Sequence, residues 1–215
     1  MIKLYSYWRS SAAYRVRIAL NLKKLEHEIV PVNMLKDGGE QHSEAYKTIN
    51  PQGLVPTLQD GKSTITQSLA ILEYLEEKYP RIALLPADLE QKAKARQLAQ
   101  IIACDIHPLD NLRVLKYLKN ELAVSDVAKD DWYAHWIRLG FAAFESALDK
   151  NSPTGGFCLG DAVSIADLCL IPQMYNAHRF NINLDNFPRL CEIEKNCLQL
   201  QAFARASPEQ QIDAI

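Results

Sequence analysis

Residues 1 to 103 contain no cysteine; the five in the chain are Cys104, Cys158, Cys169, Cys191 and Cys197. The count is odd and no C-x-x-C pair occurs, which removes support for a disulfide framework or a structural zinc site. No metal is expected, and the cysteines read as buried small apolar residues in helices. Charge of one sign is also lacking, with 24 Lys and Arg against 26 Asp and Glu, a formal net charge of −2. That excludes a global basic field for nucleic acid or anionic lipid. No uncharged apolar run approaches the ~20 residues of a membrane span. The N-terminus reaches Arg9 without an apolar core or small-residue cleavage site. The expectation is a soluble, unprocessed cytoplasmic protein with neither nucleic-acid nor membrane partners.

What is present is a chain of 215 residues, enough for a sizeable core and one or two domains. Its halves follow different grammars. Up to about Tyr79, short strands alternate with helices: strand 2–7, helix 12–24, strand 28–33, strands near 56–59 and 63–66, and helix 68–79. Pro31 implies an edge position for its strand, because proline cannot donate to a ladder. Asp60-Gly61 is a two-residue hairpin signal requiring positive φ. A β-α-β unit followed by β-β-α gives a small mixed sheet covered by helices.

A linker with a proline near each end, residues 81–88, separates an expected domain 1–80 from an expected all-helical domain 89–215. Helical periods there cover 89–120, broken near Pro108, then 126–149, 164–179 and about 187–204. Tyr133, Ile137, Phe141, Phe144 and Leu148 form one stripe of the second of these, and Trp132, Tyr133 and Trp136 read as core. Ser164-Ile165-Ala166-Asp167 matches a capping box with Asp in place of Glu. No repeat or low-complexity tract occurs.

Three short motifs in the first half carry chemistry. Arg9-Ser10-Ser11 lies between the first strand and a helix opening near Ala12. A hydroxyl there can cap a free N–H, and the helix terminus favours a carboxylate, a phosphate or a thiolate. Val55-Pro56 opens a strand, and a cis bond there would aim the Val55 N–H and C=O at a peptide-like ligand. Gln67-Ser68 starts the next helix with an amide, a hydroxyl and a second N-terminus. Together they suit a ligand that has a peptide backbone at one end and a carboxylate at the other.

These motifs, with Tyr5-Ser6-Tyr7-Trp8, Arg15-Val16-Arg17-Ile18-Ala19-Leu20, Asn50-Pro51, Leu54-Val55-Pro56-Thr57-Leu58, Asn111-Leu112, Ala166-Asp167-Leu168-Cys169-Leu170-Ile171-Pro172-Gln173 and Arg179-Phe180, resemble the glutathione transferase superfamily, most closely its zeta class. The resemblance covers essentially the whole chain. It implies an α/β plus all-α architecture: a thioredoxin-like domain, β-α-β-α-β-β-α, followed by a helical one. It also implies glutathione as cofactor and a two-fold homodimer. The activity implied is cis–trans isomerisation of a maleyl substrate in aromatic catabolism, with maleylacetoacetate favoured over maleylpyruvate and general conjugation of electrophiles as a further alternative.

Residue by residue, the resemblance implies glutathione contacts from Ser10, Ser11, Arg15, Gln41, Val55, Gln67, Ser68 and Asn111. Ala12 departs from the cysteine usual in the zeta class after Ser-Ser, so no protein thiolate operates there. Isomerising a conjugated cis C=C requires the bond to become temporarily single through addition and departure of a thiolate. Glutathione's thiol, with a pKa of ~8.5 like cysteine's, must therefore be held ionised at neutral pH. Ser10 is expected to be the stabilising donor, with Ser11 as its competitor. Arg9, Arg113 and Arg179 are the candidates for pairing substrate carboxylates. Periodicity sets Arg113 on a different helix face from Asn111; only the resemblance places it in the site. His107, at i, i+4 from Asn111, reads either as a site residue or as a packing residue.

Overall fold

The computed structural model describes residues 1–148 and 155–215, which form two compact units: 1–84 with 198–215, and 85–197. The expected domain 89–215 differs from this division, because the chain from Leu198 onward groups with the N-terminal sheet. The reason is a set of long-range polar ties: Arg17 Nε donates to Ala206 O (2.9 Å) and Asn21 Nδ2 to Ala202 O (3.0 Å).

The first unit contains β1 (Ile2–Ser6), α1 (Ser11–Leu22), β2 (His27–Pro31), the short α2 (Glu44–Lys47), β3 (Thr57–Asp60), β4 (Ser63–Thr66) and α3 (Ser68–Lys78). The sheet order is β2-β1-β3-β4, with β1–β2 parallel and the other pairs antiparallel. Pro31 thus lies on an edge strand, as its missing donor requires. Leu4 and Leu58 face each other across β1 and β3, and both are fully buried. Val16, Ile18, Ala19 and Leu20 of α1 and Ile71, Leu72 and Leu75 of α3 complete this core.

Two local readings shift by a residue. Asp60 pairs with Ser63 inside the ladder, so the hairpin loop is Gly61-Lys62, with the positive φ (62°) at Gly61. Helix α1 opens at Ser11 rather than Ala12 because Ser10 is its N-cap, accepting from Ala13 N–H at 3.2 Å.

The second unit holds α4 (Leu89–Gln100), a wide-turn segment Ile101–Ile106, α5 (Leu112–Asn120), α6 (Asp126–Ala147) and α7 (Ile165–Arg179), with α8 (Pro188–Leu198) closing it. The stripe Tyr133, Ile137, Phe141 and Phe144 on α6 is buried, whereas Trp132 and Trp136 are only half-buried at its edge. Gly140 lets α6 approach Ile101–Ile106 closely, since a Cβ there would overlap the Ile106 side chain. The expected end of this helix at residue 149 lies outside the described residues. Asp167 closes the capping box, accepting from Ser164 N–H at 2.8 Å and Cys158 N–H at 2.8 Å while Ser164 Oγ accepts from Ala166 N–H.

The expected helix 187–204 is two helices: Leu200 is extended (φ −81°, ψ 126°), and α9 (Gln201–Ala206) starts anew beyond it. Cys158, Cys169 and Cys197 are buried as expected, whereas Cys104 is exposed and Cys191 half-buried. Burial pushes the thiols of Cys158 and Cys197 well above the ordinary range. No helix among the described residues is long and apolar enough to cross a membrane.

Candidate active site

The turn from β1 into α1 concentrates the polar groups of the sheet unit. Ser10 (φ −71°, ψ 114°) leaves the strand conformation only where the helix begins, so its oxygen meets the Ala13 amide. Accepting that bond leaves the hydroxyl hydrogen to donate, and Ser10 is half-buried at the positive end of α1. Ser11 follows inside the first turn and is buried, 6% exposed. Arg9 precedes them, its guanidinium stacked on the Trp8 indole 4.6 Å from the ring centroid and donating to Tyr7 Oη at 3.4 Å.

Arg15 lies one turn further along α1, buried at 1% exposure, and Nη1 donates to Ser68 Oγ at 3.1 Å. That bond joins the start of α3 to α1. Gln67 takes the N-cap position of α3 with φ 68°, a left-handed conformation uncommon for a side-chain-bearing residue, and Nε2 donates to Gln52 Oε1 at 2.8 Å.

The Val55–Pro56 bond is cis. Neither the N–H nor the C=O of Val55 enters a turn or sheet bond among the described residues. The preceding carbonyl, Leu54 O, is held twice, by Asn50 Nδ2 (2.7 Å) and Tyr46 Oη (2.7 Å). The loop carrying Val55 is therefore anchored by its neighbours. Gln41 sits in a short 3-10 turn, Glu40–His42, and is 2% exposed, with a buried Oε1 that has no partner among the described residues. A buried amide oxygen without a bond costs roughly 1–3 kcal/mol, a penalty that a ligand donor would remove.

The helical unit holds the remaining expected residues. Asn111 is the N-cap of α5, its Oδ1 accepting from Arg113 N–H at 3.1 Å. His107 ends the wide-turn segment instead. The i, i+4 pairing of these two on one helix face is thus not realised, because the chain breaks at Pro108. Arg113 is exposed on the first turn of α5. Arg179 ends α7, exposed, with its guanidinium 4.7 Å from the Phe180 ring centroid. Phe180 stacks on Tyr133 (centroids 3.7 Å, 16° between planes), and the Tyr133 hydroxyl bonds Arg179. Burial raises the Tyr133 pKa, and Arg179 beside it opposes the rise.

Three groups escaped the sequence reading as site residues. Asp110, beside Asn111, is buried with neither carboxylate oxygen partnered among the described residues, and burial pushes its pKa up to about 8. Its neighbour Asn111 was a local pointer; its burial was not legible. Arg17, 1% exposed, binds Ser6 Oγ (3.0 Å), Tyr7 O (3.3 Å) and Trp8 O (3.0 Å). Asp213 Oδ2 accepts from Trp8 N–H at 3.0 Å, a contact spanning nearly the whole chain. Among the described residues no cluster of three or more His, Cys, Asp or Glu is arranged to hold a metal.

A thioredoxin-like sheet that ends its first strand in a serine-capped helix, with a cis-proline loop and a Gln-Ser helix start, is the fold of a glutathione transferase. A family model described as the glutathione S-transferase N-terminal domain matches residues 4–86. A probable maleylacetoacetate isomerase of Vibrio cholerae is 47% identical, covering 98% of this chain and 97% of its own. A bacterial maleylpyruvate isomerase described as a zeta-class glutathione S-transferase superposes with TM-score 0.96 at 42% identity, covering 99% of this chain and 100% of its own. The maleylacetoacetate isomerase of Methylobacterium extorquens AM1, solved with bound malonate and glutathione, superposes with TM-score 0.94 at 43% identity, covering 99% of each chain. The chain belongs to the zeta-class glutathione transferase family, that of the maleylacetoacetate isomerases.

Proposed function

We propose that the protein is a glutathione-dependent cis–trans isomerase that converts maleylacetoacetate to fumarylacetoacetate in homogentisate catabolism. The observation that carries the reading is Ser10: a hydroxyl with its hydrogen free to donate, at the N-terminus of α1, on a turn with no cysteine of its own.

The residues present fit glutathione. Among the described residues the buried Gln41 Oε1 lacks a donor and Val55 leaves a backbone N–H and C=O unused in turns or sheet, and the Gln67-Ser68 start of α3 suits a carboxylate. Glutathione supplies the sulfur nucleophile that makes the cis C=C temporarily single. Ser10 donates to that sulfur, and the α1 terminus adds its partial positive charge, so the anionic form is favoured at neutral pH. Arg15 keeps Ser68 oriented through the bond at 3.1 Å. Ser11 and Asn111 complete the expected glutathione contacts.

Arg9, Arg113 and Arg179 pair the carboxylates of the maleyl substrate and stabilise negative charge developing on its carbonyl oxygen. The aromatic support under Arg9 and Arg179 narrows their rotamer freedom, so less entropy is lost on pairing. Maleylpyruvate remains the second reading, favoured by the likeness to the maleylpyruvate isomerase. A cytoplasmic homodimer completes the proposal on the strength of the family. Measuring kcat/KM for maleylacetoacetate, maleylpyruvate and an uncharged electrophile on one preparation tests it. The first should be highest, and an enzyme that turns over only the electrophile would refute the isomerase reading.

A further inference from the structure

The last residues of the chain form a strap that sets the geometry of the β1–α1 turn, and we propose that Asp213 is a positioning residue for Ser10 and Arg9. The inference rests on the functional reading above. Two positions before Ser10 lies Trp8, whose backbone anchors the turn. Both polar groups of that residue are held from outside the turn: Asp213 Oδ2 accepts from its N–H at 3.0 Å, and Arg17 Nη2 donates to its C=O at 3.0 Å. Arg17 also grips Tyr7 O and, through Nε, Ala206 O at 2.9 Å. Both ties thus lead to the C-terminal segment, one directly and one through a buried guanidinium.

That segment is itself well fixed. Gln211 Nε2 donates to Arg205 O (3.0 Å) and Ser207 O (2.8 Å), and Ala214 N–H to Gln211 O (3.1 Å). Ala214 then packs against the cluster of Tyr7, Trp8, Val32, Tyr46 and Val55. The second oxygen of Asp213 is buried without a partner among the described residues, so within them the carboxylate serves the Trp8 amide.

The consequence falls on two site residues. Ser10 N–H bonds Tyr7 O at 2.9 Å, so its place follows the turn that Asp213 and Arg17 hold. Arg9 lies over the Trp8 indole and bonds Tyr7 Oη, so its guanidinium follows the same turn. A charged acceptor on a backbone N–H is a strong hydrogen bond, and a displacement of about 1 Å at a catalytic donor costs on the order of 10²-fold in rate.

The test compares wild type, Asp213→Ala and Asp213→Asn by ultraviolet titration of bound glutathione, by amide exchange at Trp8 and Ser10, and by kcat. Asp213→Ala should speed exchange at these amides, raise the apparent pKa of the bound thiol, and lower kcat about 10-fold, with glutathione affinity held within about 3-fold. Asp213→Asn keeps an acceptor oxygen and should restore most of each property, and it remains informative should the alanine variant not fold. If Asp213→Ala lost only thermal stability, with thiol pKa, exchange at Ser10 and kcat unchanged, the strap would be merely structural and the inference wrong. Alanine-like behaviour of Asp213→Asn would also refute it. A wild-type protein that ionises no bound thiol would instead refute the functional reading itself.

Discussion

Removing the Ser10 hydroxyl does two separable things, because one oxygen serves two purposes. As an N-cap it accepts from Ala13 N–H at 3.2 Å. Its loss to alanine costs about 1 kcal/mol of stability, whereas loss to glycine costs only a few tenths. For a chain of this size, about 1 kcal/mol lowers Tm by roughly 2–4 °C. As a donor to the bound sulfur, its removal should lower kcat on the order of 10²-fold, or about 2.7 kcal/mol, if it matters as an oxyanion donor does. Ser10→Ala should therefore lose both stability and rate, while Ser10→Gly keeps Tm nearly intact and loses the same rate. Glutathione should still bind to both variants, since Gln41, Val55, Gln67 and Ser68 are untouched. The assay pairs thermal melts with steady-state isomerase rates and a pH titration of the bound thiol. A glycine variant with kcat within about threefold of wild type would move the thiolate to Ser11 or to the α1 terminus alone.

The arginines separate substrate pairing from thiol activation: Arg113→Met and Arg179→Met should each lower kcat/KM for a maleyl substrate by about 10- to 150-fold, at roughly 1.5–3 kcal/mol per charged hydrogen bond. Conjugation of an uncharged electrophile, assayed in parallel, should stay nearly unchanged. Gln41→Leu should weaken glutathione binding by about 10-fold in calorimetry with little loss of Tm, because Oε1 has no donor among the described residues and gains one from the ligand. Asp110 gives a pH signature. With its folded pKa raised to about 8, the folded state binds more protons than the unfolded one from about pH 4 to 8. Its stabilising contribution is therefore full at low pH and is lost as pH rises through that window. Asp110→Asn should flatten this dependence, so that melts at pH 6 and pH 9 differ less than in wild type, and an identical pH slope would contradict a buried neutral carboxyl.

The parts of the fold legible in sequence are those whose signals are local. Pro31 marked the edge strand, Gly61 the hairpin, and Ser164 with Asp167 the start of α7, because each acts through bonds within a few residues. Ser10 and Ser68 were legible for the same reason, each standing where a strand or loop gives way to a helix. Gln41 entered by resemblance, since its turn is built from positive φ at Asp37, Gly38 and Gly39 rather than from a repeating pattern. The break at Leu200 carries neither glycine nor proline, so helical periodicity ran through it. Asp213 on Trp8 and Arg17 on Ala206 join segments far apart in the chain, and no local window contains such a contact. Asp110 is polar by residue type, and only packing shows that its carboxyl lies buried and, among the described residues, without a partner.

In the proposed isomerisation glutathione acts catalytically and returns unchanged. The direct measurement follows cis-to-trans conversion of maleylacetoacetate with glutathione far below substrate concentration, titrating free thiol before and after. Conversion should be complete, require glutathione, saturate with it, and leave the thiol count unchanged. Thiol consumed one for one without trans product would make the protein a conjugating transferase, and conversion undiminished without glutathione would remove the role assigned to Ser10.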